Sequence, residues 1–442
     1  MKKLIFIFLA LLSLNANSQQ KADYLDPSLP IEKRVDLLMA KMTIKEKAAQ
    51  LCFLNVGDSL FDAKGNIDEA KVIAMFPDGI GAVTFFQVKM PMEKAMRLDN
   101  TLQKILIEKS RLGIPCLYIG EGLHGFMAVG ATSFPQAIAL SCSWDTTLIE
   151  EVFTATALEM RTRGFHQALS PVIDLARDPR WGRTEETYGE DTYLTSRLGK
   201  AAVLGFQGRK PLIDNQHVIS TLKHFAGHGQ GEGGDNTSPV VCDERYFREN
   251  HLYPFEIAVK EAHARSLMPS YNEWASIPNH ANPWLLKTVL KDEWGFDGHI
   301  TTDQGGIEDL DRKHFVSENQ SDATRLALQT GNDLEIMDKK SYYRNLPELV
   351  KNGIVSEQDL DKAVRRVLLD KFRIGLFEFP YADVEKARAV TNSRQHRDLA
   401  LKAAHESLVL LKNENHLLPL DASKIKTLAV IGPNAADIHL GG

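Results

Sequence analysis

Trp294-Gly295-Phe296-Asp297-Gly298-His299-Ile300-Thr301-Thr302-Asp303-Gln304-Gly305-Gly306 reads as a tight turn, a short strand and an abrupt stop. Asp297-Gly298 is turn chemistry, because glycine accepts the positive φ that other residues resist. Residues 299–302 form a brief run rich in β-branched side chains, too short for a helix. Asp303 falls where that strand ends, and Gln304-Gly305-Gly306 turns the backbone away, leaving room beside the carboxylate. In barrels of parallel strands the catalytic groups sit at the C-terminal ends of strands. An aspartate before paired glycines is also an ordinary turn residue, so its weight depends on what the rest of the chain brings beside it.

Outward from this stretch, strand-like and helix-like segments alternate. Strands are expected at 79–86, 114–119, 167–175, 218–225, 266–269, 299–303 and 333–337. Helices are expected at 28–42, 92–110, 147–163, 193–207, 244–263, 283–293, 322–330, 346–351 and 356–372. Thr43 followed by Glu46 is a capping box that opens a further helix. Repeated βα units with largely apolar strands mean a parallel sheet covered by helices. The number of units and the length favour an α/β fold closed as a (β/α)8 barrel, over residues 25–375. Residues 376–425 read as a linker and a connecting helix, the latter at 394–412. The run 426–432 (Lys-Thr-Leu-Ala-Val-Ile-Gly) reads as a buried strand opening a second domain at 426–442.

Composition is that of an ordinary globular protein, 43% hydrophobic and 25% charged over 442 residues. The net charge of -6 is spread without a basic block, so neither nucleic acid nor an anionic membrane is an expected partner. Residues 1–18 read as a secretory signal: Lys2-Lys3, an apolar run at 4–14 and the small-residue site Ala16-Asn17-Ser18. An uncleaved anchor is the rival reading, but the run is short for a membrane span. The expected location is therefore secreted or periplasmic, with no membrane attachment after cleavage. Cys52, Cys116, Cys142 and Cys242 lack paired spacing, which gives neither a disulfide scaffold nor a zinc pattern.

Chemistry-bearing residues cluster at the ends of the expected strands. Glu121 and His124 follow the strand at 114–119, and Asp174 leads into Arg177-Asp178-Pro179-Arg180-Trp181-Gly182-Arg183 and Glu186. Lys223, His224 and His228 end another strand, Tyr271 follows a third, and Asp303 ends a fourth. A barrel converges these ends on one pocket. Acids, cations and aromatic rings together suit a hydroxyl-rich ligand. Lys223, His224 and Arg183 would also keep Asp303 ionised, as a nucleophile requires. Lys223 and His224 are adjacent, and neighbours on a strand face opposite ways, so the strand must break there. Asp178, Arg180 and Glu186 read as an ion network holding their loop, and Trp181 as packing. His224, His228 and Glu232 form a possible metal set, which the intervening glycines weigh against.

Taken together, Glu121-Gly-Leu-His-Gly, Arg177-Asp-Pro-Arg-Trp-Gly-Arg, Lys223-His224-Phe and Gly295-Phe-Asp-Gly with Asp303 resemble glycoside hydrolase family 3, the β-glucosidase and β-xylosidase group. The resemblance runs from about residue 25 to the end. It implies Asp303 as nucleophile and Glu121, Arg183, Lys223, His224 and Tyr271 as holders of the terminal sugar. It also implies a barrel beside an αβα sandwich domain that contributes the acid/base glutamate, with 426–432 as its first strand; no metal and no cofactor are expected. Three features depart from the family pattern. Glu121 stands where the glucosidases carry Asp, as in the xylosidase branch, and Gln304 follows the nucleophile in place of Trp, Tyr or Cys. Most seriously, the acid/base domain is expected to be missing beyond its first strand, and Asp235-Asn236-Thr237 lacks the histidine with which the single-domain branch supplies that acid.

The expected activity is an exo-acting retaining β-glycosidase that removes terminal non-reducing β-D-glucosyl or β-D-xylosyl residues from oligosaccharides or glycosides. Glu232 and Asp235 are the candidates within the chain for the second carboxyl, which retaining enzymes hold about 5–5.5 Å from the first. The competing readings are an acid-deficient, non-catalytic sugar-binding fragment and a metal-dependent hydrolase built on His224 and His228.

Overall fold

Eight short parallel strands form the inner ring of the computed structural model, which describes residues 23–84, 90–337, 341–433 and 435–436. They are β1 (Cys52–Asn55), β2 (Ala82–Thr84), β3 (Leu117–Gly120), β4 (Gln167–Ala168), β5 (Ile219–Phe225), β6 (Ser266–Pro269), β7 (His299–Ile300) and β8 (Glu335–Met337). Neighbours pair in the order β8-β1-β2-β3-β4-β5-β6-β7. A further parallel bridge, Thr301 to Leu334, joins the two ends and closes the barrel. Every residue of β5 is buried, as expected of strands covered on both faces.

Helices wrap the ring because their starts are capped and one face of each is apolar. Asp145, Asp191, Asn319 and Ser356 accept backbone N–H groups that open the helices Thr146–Thr162, Thr192–Gln207, Gln320–Thr330 and Glu357–Arg373. The Thr43–Glu46 capping box is present as expected. Beneath the pocket a polar layer fills the barrel: Gln167 Nε2 donates to Thr221 at 2.8 Å and to Ser266 and Thr301 at 3.1 Å. Full pairing is what makes such a buried polar layer tolerable.

Several elements differ from the sequence expectation. β1 was not expected, because its apolar run abuts the helix Ile44–Ala49 and no change of period marks the boundary. The strand expected at 167–175 pairs only over Gln167–Ala168, with a later bridge from Val172 to Lys223; Pro171 between them has no N–H to donate. The connecting helix ends at Glu406, so Leu408 and Leu411, expected on its apolar side, are 78% and 91% exposed. The strand expected at 426–432 does not form: these residues are exposed and join no sheet. The signal expected at 1–18 and part of the strand expected at 79–86 lie outside the described residues.

Candidate active site

β5 supplies two adjacent residues to the pocket because its ladder is irregular. The pairing of β5 with β6 shifts between Leu222 and Phe225, which is the break that adjacent Lys223 and His224 require. Lys223 Nζ reaches Glu121, just past β3, at 3.1 and 2.9 Å from its two carboxylate oxygens. The lysine side chain is only 4% exposed, so the pair is formed with most of its water removed.

His224 is held between an acid and a cation. Its Nε2 lies 3.0 Å from Arg183 Nη2. A guanidinium can only donate, so Nε2 accepts and the ring proton sits on Nδ1. Nδ1–H and the His224 backbone N–H both donate to Asp174 Oδ2, at 2.8 and 2.9 Å. Burial and the neighbouring Arg183 hold His224 well below the ordinary histidine value, so it is neutral. Burial pushes the Asp174 carboxyl up to about 7, against the opposing pull of its hydrogen bond from His224 and of Arg183. Arg183 is fixed in turn by a two-pronged pair with Glu186, 2.8 Å on each prong. That pair raises the Arg183 guanidinium further above its ordinary value, so it stays charged although burial opposes this.

Asp303 follows β7 and is 9% exposed. Its Oδ1 accepts the Tyr271 hydroxyl and the Gln304 N–H, each at 2.7 Å. Oδ2 is buried without a hydrogen-bond partner among the described residues, with His224 Nε2 at 3.8 Å. An unpartnered buried oxygen costs about 1–3 kcal/mol, and such exceptions in a folded protein call for a reason such as chemistry. Burial raises the Asp303 carboxyl above its ordinary value, while the Tyr271 hydrogen bond and the charges of Arg183 and Lys223 restrain the rise. Burial and the Asp303 charge also raise Tyr271, so the phenol keeps its proton and donates it.

A cavity of about 340 Å³ opens at this end of the barrel, lined by Glu121, Arg183, Lys223, His224 and Asp303 among others. Five of the six expected site residues therefore share one cavity. Tyr271 stands behind Asp303 and instead lines an adjoining pocket of about 670 Å³, which also includes Gln304. Asp174 and Glu186 complete the arrangement. The Arg183-x-x-Glu186 spacing was the sequence signal for the second of these.

The proposed Asp178–Arg180–Glu186 network divides: Arg180 pairs with Asp178 at 2.7 Å on the surface, while Glu186 serves Arg183. Trp181 is buried and donates to Asn236 at 3.0 Å, which is a packing role. Asp174, His224 and His228 bring ligand-type atoms within 4.8 Å of one another. Their chemistry does not suit a metal, because the ligand atoms of His224 are engaged by Arg183 and Asp174, and a guanidinium beside the cluster repels a cation. Asp235 spends its carboxylate on Thr237 and Ser238 of its own loop, which hold it below the ordinary value.

Fold and site together define a (β/α)8 barrel with a carboxylate-centred pocket at the C-terminal ends of its strands. Residues 43–369 match the glycosyl hydrolase family 3 N terminal domain, and the chain belongs to that family. It is 42% identical over 357 residues to a β-xylosidase of Formosa agariphila, covering 77% of this chain and 49% of that protein. With a periplasmic β-glucosidase of Salmonella typhimurium it shares 36% identity, covering 90% of this chain and 50% of the other. A solved β-glucosidase of Erythrobacter marinus superimposes with a TM-score of 0.91 at 38% identity, over 96% of this chain and 56% of that one. The chain thus spans about half the length of these relatives. Among the described residues no helix is long and apolar enough to cross a membrane.

Proposed function

We propose that this chain carries the nucleophile and terminal-sugar site of an exo-acting, retaining β-glycosidase acting on terminal non-reducing β-D-glucosyl or β-D-xylosyl residues of oligosaccharides. The observation that carries the reading is Asp303: a carboxylate locked through one oxygen, left unpartnered at the other, and flanked by the charges of Arg183 and Lys223. Glu121, Arg183, Lys223 and His224 line the same cavity and offer charged partners to sugar hydroxyls. A volume of about 340 Å³ is near the small end of ligand pockets, roughly 300–1,000 Å³, which suits one sugar ring and hence exo action.

In this mechanism an Asp303 oxygen attacks the anomeric carbon while the glycosidic oxygen leaves with its electron pair and takes up a proton. The resulting glycosyl ester is hydrolysed by water at the same carbon, so the configuration is retained. Arg183 and Lys223 keep Asp303 ionised for the first step and stabilise it as a leaving group in the second. Among the described residues lining the cavity the only other carboxylate is Glu121, which Lys223 occupies. We therefore assign the leaving-group proton to an acid/base carboxylate in the further αβα domain that 426–442 is proposed to open.

The expected signal segment and the relative named as periplasmic support a secreted or periplasmic location. The reading is tested with β-glucosyl and β-xylosyl fluorides, whose leaving group needs little protonation. Fluoride release that is lost in Asp303→Ala supports a catalytic site, and sugar binding without release would leave only a binding fragment.

A further inference from the structure

The backbone of Asp303 raises a question that the site residues do not answer. Along β7 the ladder holds the N–H groups of Thr301 and Thr302, which donate to Leu267 at 2.9 Å and Leu334 at 2.8 Å. The next N–H, that of Asp303, lies past the ladder in a buried position and has no strand carbonyl to meet. It donates instead to His280 Nε2 at 3.2 Å.

His280 is built to receive it. It sits in the short turn Asn279–Ala281, is 2% exposed, and its carbonyl accepts Asn332 Nδ2 at 2.7 Å. Asn279 beside it donates to Ala226 O at 2.9 Å and Ser270 Oγ at 2.7 Å, tying the turn to the ends of β5 and β6. The imidazole lies against Gly306: a Cβ there would fall 2.3 Å from His280 Nε2 and 2.4 Å from Cε1. Gly306 N–H in turn donates to Asp303 O at 3.0 Å. A ring that only filled space would not need its nitrogen aimed at this amide, nor a residue without Cβ opposite it.

We propose that His280 is the positioning residue of the nucleophile, fixing the direction of the Asp303 carboxylate by accepting the Asp303 N–H and seating its ring on Gly306. An imidazole protonated on both nitrogens could not accept that N–H. Burial agrees with the neutral form, pushing His280 down to about 3. Nothing in the role brings His280 to the substrate. It acts through Asp303, and rests on the reading of Asp303 as nucleophile.

The test uses the full chain and a 2-deoxy-2-fluoro-β-glycosyl fluoride, whose covalent capture reports the attack step alone. Capture in His280→Phe, which keeps an aromatic ring but has no acceptor, should slow by about 10- to 100-fold, the scale of misplacing a reacting group by about 1 Å. Binding of the free sugar should stay within about two-fold, because no sugar contact is lost. His280→Gln, whose amide oxygen can reach the N–H, should recover most of the rate. If the Phe variant does not fold, His280→Asn decides: an amide too short to reach should be slow where Gln is fast. Equal rates in Gln and Asn, a wild-type rate in Phe, or parallel losses of rate and sugar binding would each overturn the proposal. Failure of the unsubstituted chain to be captured at Asp303 would instead overturn the nucleophile reading, and this inference with it.

Discussion

The Tyr271 hydroxyl and Asp303 Oδ1 are 2.7 Å apart, and the phenol is the donor. Thirty-two residues separate the two in sequence, and the parallel pairing of β6 with β7 brings them together. The hydrogen bond stabilises the ionised carboxylate against burial, which alone would raise it further.

Tyr271→Phe should therefore raise the Asp303 carboxyl and move the low-pH limb of kcat/KM upward. The phenol's hydrogen bond lowers the Asp303 carboxyl, so its loss leaves burial less opposed and the limb should move to higher pH. A limb unchanged in Tyr271→Phe would mean that the phenol does not act on Asp303.

Removing the Asp303 charge should stabilise the fold at neutral pH. Burial raises the carboxyl in the folded state above its unfolded value near 3.8, so stability falls as pH rises past the unfolded value and the loss is complete above the folded one. Asp303→Asn should melt higher than the unsubstituted chain at about pH 7. The gain should shrink as pH falls through the folded value and vanish below about 3.8, where Asp303 is protonated in both states. Calorimetric melting at both ends of this range checks the sign, which an equal gain at low pH would contradict.

Lys223→Met should weaken binding of the terminal sugar and spare the fold less than a surface change would. It removes a 4%-exposed ammonium and leaves Glu121 without the partner it meets at 2.9 Å. Losing one member of a fully buried charged pair costs about 3–5 kcal/mol, and the cost here should be smaller because the Glu121 side chain is 29% exposed. Lys223→Met with Glu121→Gln, which removes both charges, should recover part of the stability but not the sugar affinity. Titration calorimetry with the product monosaccharide and thermal melts separate the two effects.

Chelators should change neither melting temperature nor fluoride release. Asp174, His224 and His228 have metal-ligand atoms within reach of each other, but Arg183 donates to His224 at 3.0 Å. Stoichiometric zinc in the purified chain, lost in His228→Ala, would contradict the hydrogen-bonded reading of this cluster.

Much of the barrel was legible because parallel strands are short apolar runs set between amphipathic helices. The C-terminal ends of those runs carried the polar residues. Adjacent Lys223 and His224 even announced the irregularity of β5, since a regular strand cannot face both inward. β1 was hidden where a helix and a strand share an unbroken apolar run. The role of His280 was invisible for a different reason: it depends on one backbone N–H left over at the end of β7, which no side-chain pattern encodes. The run at 426–432 has the pattern of a strand, yet pattern alone cannot supply the partner that a ladder needs.

On the proposed mechanism Asp303 forms the covalent bond to the sugar. Incubating the chain with 2-deoxy-2-fluoro-β-glucosyl or -xylosyl fluoride and mapping the adduct by peptide mass spectrometry tests it most directly. The fluoride leaves without an acid, so the test does not depend on where the acid/base carboxylate resides. One 2-fluoroglycosyl group per chain is expected, on the peptide that contains Asp303. An adduct on any other carboxylate, or none at all, would contradict it.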